Sequence, residues 1–243
     1  MRSKIFRGLS LLFMVTFHIL TIFPDAFSSY FNESILKHAR EKGIIKIKIY
    51  NIRDFAKDKH KKVDDKPYGG GPGMVMKIEP IMRTIKSFVN SKFEIRDSKF
   101  ILLSPRGKQF TQSITRNYAK KYKNIILICG HYEGIDARLK KVLKIETGFL
   151  RIPKPGFEEI SIGPYILSGG ELGAMVIVDA VSRHIPGALG KIESLEEKKG
   201  SYPAYTRPEV FELKGKKYRV PKVLLSGDHK KISEWRKKYG KIV

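Results

Sequence analysis

Apolar positions along the chain fall into short unbroken runs that alternate with longer stretches of helical spacing. Val15–Phe23 is an apolar run of strand length. Pro24-Asp25 then opens a helical pattern with Phe27, Phe31, Ile35 and Leu36 as its apolar positions, and Gly43 is a natural stop for it. Ile44–Tyr50 alternates apolar residues with lysine, so Ile45, Ile47 and Ile49 share one face of a half-exposed strand. Arg53 to Lys66 is charged and aperiodic, and Tyr68–Gly73 is too glycine-rich for regular structure. Ile78–Val89 has the spacing of a short amphipathic helix, Phe100–Leu103 that of a strand ending at Ser104-Pro-Arg-Gly107, and Thr111–Tyr122 that of a basic helix. Asn124–Cys129 is a buried strand, whereas the two prolines of 148–157 make that segment a surface hairpin or loop. Leu172–Ile185 is the last helix of the series, with Met175, Val176, Val178, Val181 and Ile185 available as its core face. The alternation predicts an α/β fold with a mostly parallel sheet and helices on both faces.

Three of the apolar runs break at small residues: Ser104-Pro-Arg-Gly107, Gly130 within Ile126–Asp136, and Gly163 within Ser161–Glu171. Glycine lets the backbone turn with positive φ and lets another group approach it closely. Breaks of this kind read either as ordinary strand-to-helix turns or as paired strand ends that line a pocket, where ligands of α/β proteins bind. No G-x-G-x-x-G fingerprint and no phosphate-binding G-x-x-x-x-G-K-[ST] loop is present.

Charge changes the picture. The 243 residues carry 48 Lys and Arg against 24 Asp and Glu, a formal net charge of +24. A field of that sign gathers polyanions, of which nucleic acid is the commonest, although a lysine-rich proteome produces the same bias. The single cysteine, Cys129, excludes an intrachain disulfide and reads as a small buried core residue. Residues 1–23 resemble a signal peptide in their basic start and apolar middle, but Phe23-Pro-Asp-Ala-Phe offers no small-x-small cleavage site and the run is short of a membrane span. Lys191–Gly200 is charged with one leucine and marks a linker, after which Tyr202–Val243 forms a small basic segment ending in a helix, Lys231–Tyr239, around Trp235. His60 and His131 have no metal-ligand partner at usable spacing.

Wording carries more than spacing. Asn51-Ile-Arg-Asp-Phe, Val63-Asp-Asp-Lys-Pro-Tyr-Gly-Gly-Gly-Pro-Gly-Met74, Ile126–Asp136 and Ser161–Glu171 together resemble the bacterial tRNA (guanine-N1)-methyltransferases of TrmD type, which belong to the SPOUT class, and the resemblance runs from about Met14 to Trp235. It implies a trefoil-knotted, mostly parallel sheet at 14–190, with residues 1–13 an extension or misassigned start. A flexible linker at 191–201 and a short C-terminal tRNA-binding domain at 202–243 would follow. It further implies a cytoplasmic homodimer, not a membrane protein, that uses S-adenosylmethionine to methylate N1 of guanosine 37 in tRNA. A SPOUT-fold RNA-binding protein with impaired catalysis is the alternative.

Carried onto matching positions, the resemblance implies a cofactor pocket made by Leu103, Ser104 and Pro105, by Gly130, Tyr132 and Glu133, and by Ile162, Gly163, Pro164, Tyr165, Ile166 and Leu167. Pro164 replaces a usual aspartate and removes a backbone donor. Asp64, Asp65, Tyr68 and Gly70 are implied on the substrate side, and Arg207 as a phosphate contact. Arg183 matches an arginine that stabilises charge on the guanine ring, though its position also suits a helix C-terminal cation. The usual catalytic aspartate position falls on Lys198, so Glu197 becomes the expected general base, with Glu193 and Glu196 in the same linker. The chain also ends soon after Trp235, where relatives usually continue.

Overall fold

The computed structural model describes residues 14–89, 93, 97–145, 156–189 and 201–240. Residues 1–13, most of the segment 148–157 and the linker acids Glu193, Glu196 and Glu197 therefore lie outside the described residues. The chain divides into two compact units, Met1–Leu189 and Gly190–Val243.

In the first unit the apolar runs become strands. They are β1 (Val15–Thr21), β2 (Ile45–Asn51), β5 (Ser98–Gln109), β6 (Asn124–Cys129) and β7 (Gly156–Ser161), arranged in the order β2-β1-β6-β5-β7. Every neighbouring pair is parallel. The apolar run of β6 and the fully buried β1 suit the middle of such a sheet, where both faces are covered. The lysines of β2 stay exposed at its edge. Period-two alternation divides the side chains between two cores. Phe17, Ile19, Ile101, Ile125 and Leu127 pack on one face with Phe27, Phe31 and Tyr118. Leu20, Phe100, Ile126 and Ile128 pack on the other with Ile81, Ile85, Leu139 and Leu143.

The helices are α1 (Ser34–Glu41), α2 (Ile78–Phe88), α3 (Gln112–Lys121), α4 (Arg138–Ile145) and α5 (Glu171–Ser182). A two-residue antiparallel pair, β3 (Asp64–Asp65) with β4 (Val75–Met76), brackets the glycine-rich loop.

Three expectations are corrected. The helical pattern from Pro24 is not continuous: a 3-10 turn at Pro24–Phe27 and a helical turn at Ser28–Phe31 precede α1. Ser34 opens α1 with a φ of 49°, and the Asn32 side chain accepts from Arg40 (2.7 Å). Nor does β5 stop at Leu103. Its register against β7 shifts between Leu103 and Lys108, so Ser104–Gly107 bulges out and the strand resumes. A Cβ on Gly107 would sit 2.5 Å from the Ile160 carbonyl carbon, so only glycine permits this approach of two backbones. In α5, Ala174 and Ile177 face the core together with Val178 and Val181, while Val176 is 45% exposed. That helix is apolar nearly all round, so spacing alone could not choose its inward face.

The second unit holds an unanticipated hairpin, β8 (Val210–Leu213) against β9 (Lys216–Arg219), turning through Lys214 and Gly215, both at positive φ. Its helix α6 (His229–Tyr239) begins two residues before the expected start because Asp228 caps it, accepting from the amides of Lys230 and Lys231.

Candidate functional site

The carboxyl ends of β5, β6 and β7 meet around a cleft of about 530 Å³. Each break in the apolar pattern supplies one wall. Leu103, Ser104 and Pro105 come from the β5 bulge, and Gly130, Tyr132 and Glu133 from the loop after β6. Ile162, Gly163, Tyr165, Ile166 and Leu167 come from the loop between β7 and α5. Pro164 is exposed in that third loop and does not line the cleft.

The second and third loops are laced together. Gly170 N–H donates to the Gly130 carbonyl (2.9 Å), and His131 pairs with Gly169 in an isolated antiparallel bridge. A Cβ on Gly170 would lie 2.7 Å from Cys129 Cα, so this crossing also requires glycine. The third loop is folded by Ser161, whose Oγ donates to the Gly163 carbonyl (2.9 Å) and accepts from the Gly163 amide (3.3 Å). At the first turn of α5, buried Glu171 accepts from Thr21 Oγ1 (2.7 Å), tying that helix start to β1.

Several lining residues were not anticipated: Arg106, His131, Ile135, Asp136, Lys140 and Glu159. A readable signal was the acid at 136, set between Ile135 and Ala137. Arg138 hydrogen-bonds both Asp136 oxygens (2.5 and 3.0 Å) and holds that carboxyl below its usual range. Burial pushes Glu159 up, but hydrogen bonds from Lys140 (2.9 Å) and Ser104 outweigh it and hold the group low. Burial raises the Cys129 thiol well above its ordinary value, so it is a neutral core residue behind the cleft's lining rather than a nucleophile. His131 Nδ1 is buried without a hydrogen-bond partner among the described residues.

The glycine-rich loop is fastened to the rim of this cleft at its return strand. Glu133 N–H donates to the Met74 carbonyl (3.0 Å), Met76 N–H to Gly134 (2.9 Å), and Asp136 N–H to Met76 (3.0 Å). Its tip is free: Tyr68 is 100% exposed, and Gly69, Gly70 and Gly71 have positive φ, with no atom within 4 Å of the point where a Cβ would stand. Asp64 lies in β3, and Asp65 pairs with Lys77 (2.9 Å). None of Asp64, Asp65, Tyr68 and Gly70 enters the cleft itself.

Arg183 caps the C-terminal end of α5, half-buried and outside the cleft lining, with its amide donating to the Asp179 carbonyl (3.2 Å). Arg207 belongs to the second unit, and Glu197 lies outside the described residues.

The family model described as tRNA (Guanine-1)-methyltransferase TrmD matches residues 15–242. The tRNA (guanine-N(1)-)-methyltransferase of Clostridioides difficile (strain 630) is 49% identical over 226 residues, covering 91% of this chain and 90% of the relative. The proteins of the same description from Dictyoglomus turgidum and Carboxydothermus hydrogenoformans are 49% and 50% identical, covering 93% and 90% of this chain and 84% and 80% of their own lengths.

Proposed function

The chain belongs to the tRNA (guanine-1)-methyltransferase TrmD family, and on that premise we propose that it transfers a methyl group from S-adenosylmethionine to N1 of guanosine 37 in tRNA, next to the anticodon. The observation that carries this reading is the cleft at the ends of β5, β6 and β7, with the glycine-rich loop fastened at its rim.

The residues present fit such a cofactor. Gly130 leaves room at the wall: a Cβ there would meet only ordinary contacts at 3.6 Å or more. Leu102, Leu103, Ile135 and Ile160 supply apolar surface for an aromatic base. Glu133, Asp136 and Glu159 also line the cleft, the last two paired with Arg138 and Lys140. The buried Nδ1 of His131 has no partner of its own among the described residues. When bound, S-adenosylmethionine supplies an electrophilic methyl group on a sulfonium.

The chain's own residues align and exchange a proton. Leu103, Ser104 and Pro105 hold one side, and Tyr132, Glu133, Ile162, Tyr165, Ile166 and Leu167 close the other, so the reacting atoms meet in a fixed line. Guanine N1 carries a proton, and Glu197 is the group we assign to remove it. The Arg183 guanidinium stabilises negative charge developing on the guanine ring. Asp64, Asp65, Tyr68 and Gly70 of the glycine-rich loop are the residues we assign to the substrate side, and Arg207 serves as a phosphate contact.

Two structural features of this reading rest on support outside the cleft. Arg183 stands away from its own cleft, and α5 presents Leu172 and Val176, one helical turn apart and exposed, as an apolar surface. Both favour a homodimer in which each site draws on two subunits. The close backbone crossings at Gly107 and Gly170 favour a trefoil knot at this edge of the sheet. Residence in the cytoplasm belongs to the same reading. No helix among the described residues is long and apolar enough to cross a membrane.

Purified chain, labelled S-adenosylmethionine and unmodified tRNA, followed by nucleoside analysis, test the proposal. Accumulation of 1-methylguanosine supports it, and donor binding without transfer would replace it with an RNA-binding role.

A further inference from the structure

The second unit contains a hollow of its own, about 610 Å³, walled mainly by Tyr202, Tyr205, Arg207, Leu224, Trp235 and Arg236. Its chemistry differs from that of the cleft between the strand ends. Tyr205 and Trp235 meet edge to face with centroids 6.2 Å apart, and Trp235 leans on Tyr239 at 4.8 Å. The Arg236 guanidinium lies 5.1 Å from the centroid of the Tyr202 ring. These rings are not sealed into a core: Tyr205 is half exposed, and no described residue of this unit is buried. The elements of this unit are rich in cations, with Lys216, Lys217 and Arg219 in the hairpin and Lys230, Lys237 and Lys238 in α6.

A ligand matching this unit needs a flat π-face for the rings and a negative backbone for the cations. An acidic peptide would answer the charges and leave the aromatic faces unmatched. A single-stranded nucleic acid answers both, because aromatic stacking and a basic track together bind unpaired strands with little sequence preference. We infer that this hollow receives one unpaired nucleobase of the RNA, stacked against Tyr205 and Trp235 while Arg207 and Arg236 meet the flanking phosphates. The inference rests on the reading that the chain acts on tRNA, and it adds a base-binding subsite to what would otherwise be a charged surface.

Trp235 is the one tryptophan of the chain, so its emission reports on this hollow directly in the full-length protein. The experiment titrates the protein with a short single-stranded RNA and, separately, with an abasic ribose-phosphate oligomer of equal length. The RNA should quench Trp235 saturably and the abasic oligomer should not. Tyr205→Ala should weaken RNA binding about ten-fold and leave abasic binding unchanged, whereas Tyr205→Phe, which keeps the ring, should bind RNA as the parent does. Equal quenching or equal affinity for the two oligomers would overturn the subsite in favour of phosphate contact alone. So would equal losses in Tyr205→Phe and Tyr205→Ala. Emission that shifts with protein concentration in the absence of RNA would assign the hollow to a second copy of the chain. Formation of 1-methylguanosine, measured in parallel, separates the two readings: methylation without base-dependent quenching removes only the subsite, and absence of both removes the tRNA reading as well.

Discussion

The two units of this chain hold themselves together by different means. In the first, Phe17, Ile19, Leu20, Phe100 and Ile125–Cys129 are fully buried between helices on both faces of a five-stranded sheet. In the second, no described residue is buried, and Phe211, Leu213 and Leu225 remain about half exposed. What orders the second unit is local: an Asp228 cap, a hairpin of two four-residue strands and rings leaning on rings. Burying apolar surface is the main source of stability, so the first unit is the rigid body that carries a shaped cleft.

The largest expected effect breaks that comparison if it fails. Phe100→Ala, at a fully buried site, should lower stability by about 3–5 kcal/mol, while Phe211→Ala, 56% exposed, should change it by less than about 0.5 kcal/mol. Urea titration followed by circular dichroism measures both. Similar losses would mean that the second unit hides a core of its own.

Acid should weaken the first unit through His18. That ring is stacked on Phe88 (4.6 Å), and its Nδ1 meets the Tyr50 hydroxyl (3.0 Å). Burial pulls its pKa from 6.5 to about 4. The unfolded chain therefore binds a proton between those values that the folded chain refuses. The stabilisation is complete above pH 6.5 and is lost as pH falls through about 4, amounting to roughly 3 kcal/mol. His18→Phe should flatten the dependence of unfolding on pH in that window. An unchanged slope would assign it to other groups.

Gly107→Ala should cost about 1–3 kcal/mol, since its Cβ overlaps the Ile160 backbone. Calorimetric affinity for S-adenosylmethionine should fall with it, because Ile160 lines the cleft. Retention of both would show that the bulge relaxes without disturbing the wall.

The smallest effect sharpens the comparison from the other side. Asp228→Ala removes the cap of α6, so hydrogen exchange at the Lys230 and Lys231 amides should quicken while the main unfolding transition stays in place. A shift of the main transition would show that the units unfold together.

Much of this protein was legible along the chain. Apolar runs of strand length mark strands covered on both faces, so β1, β6 and the parallel sheet followed from period and length, whereas the breaks after them read equally as ordinary turns and the individual wall residues came only from the family resemblance. The tertiary structure alone decided that β5 resumes beyond its break, because that requires knowing that Ile160 of another strand crosses Gly107. Packing likewise decided which side of the all-apolar helix α5 turns inward, leaving Leu172 and Val176 outside. It also brought Lys140 to Glu159 and His131 to Gly169, and it gathered Tyr202, Tyr205 and Trp235 around one hollow. Periodicity reports how a segment faces its nearest layer, whereas these pairings join residues far apart in the chain, and only the folded packing sets the distance between them.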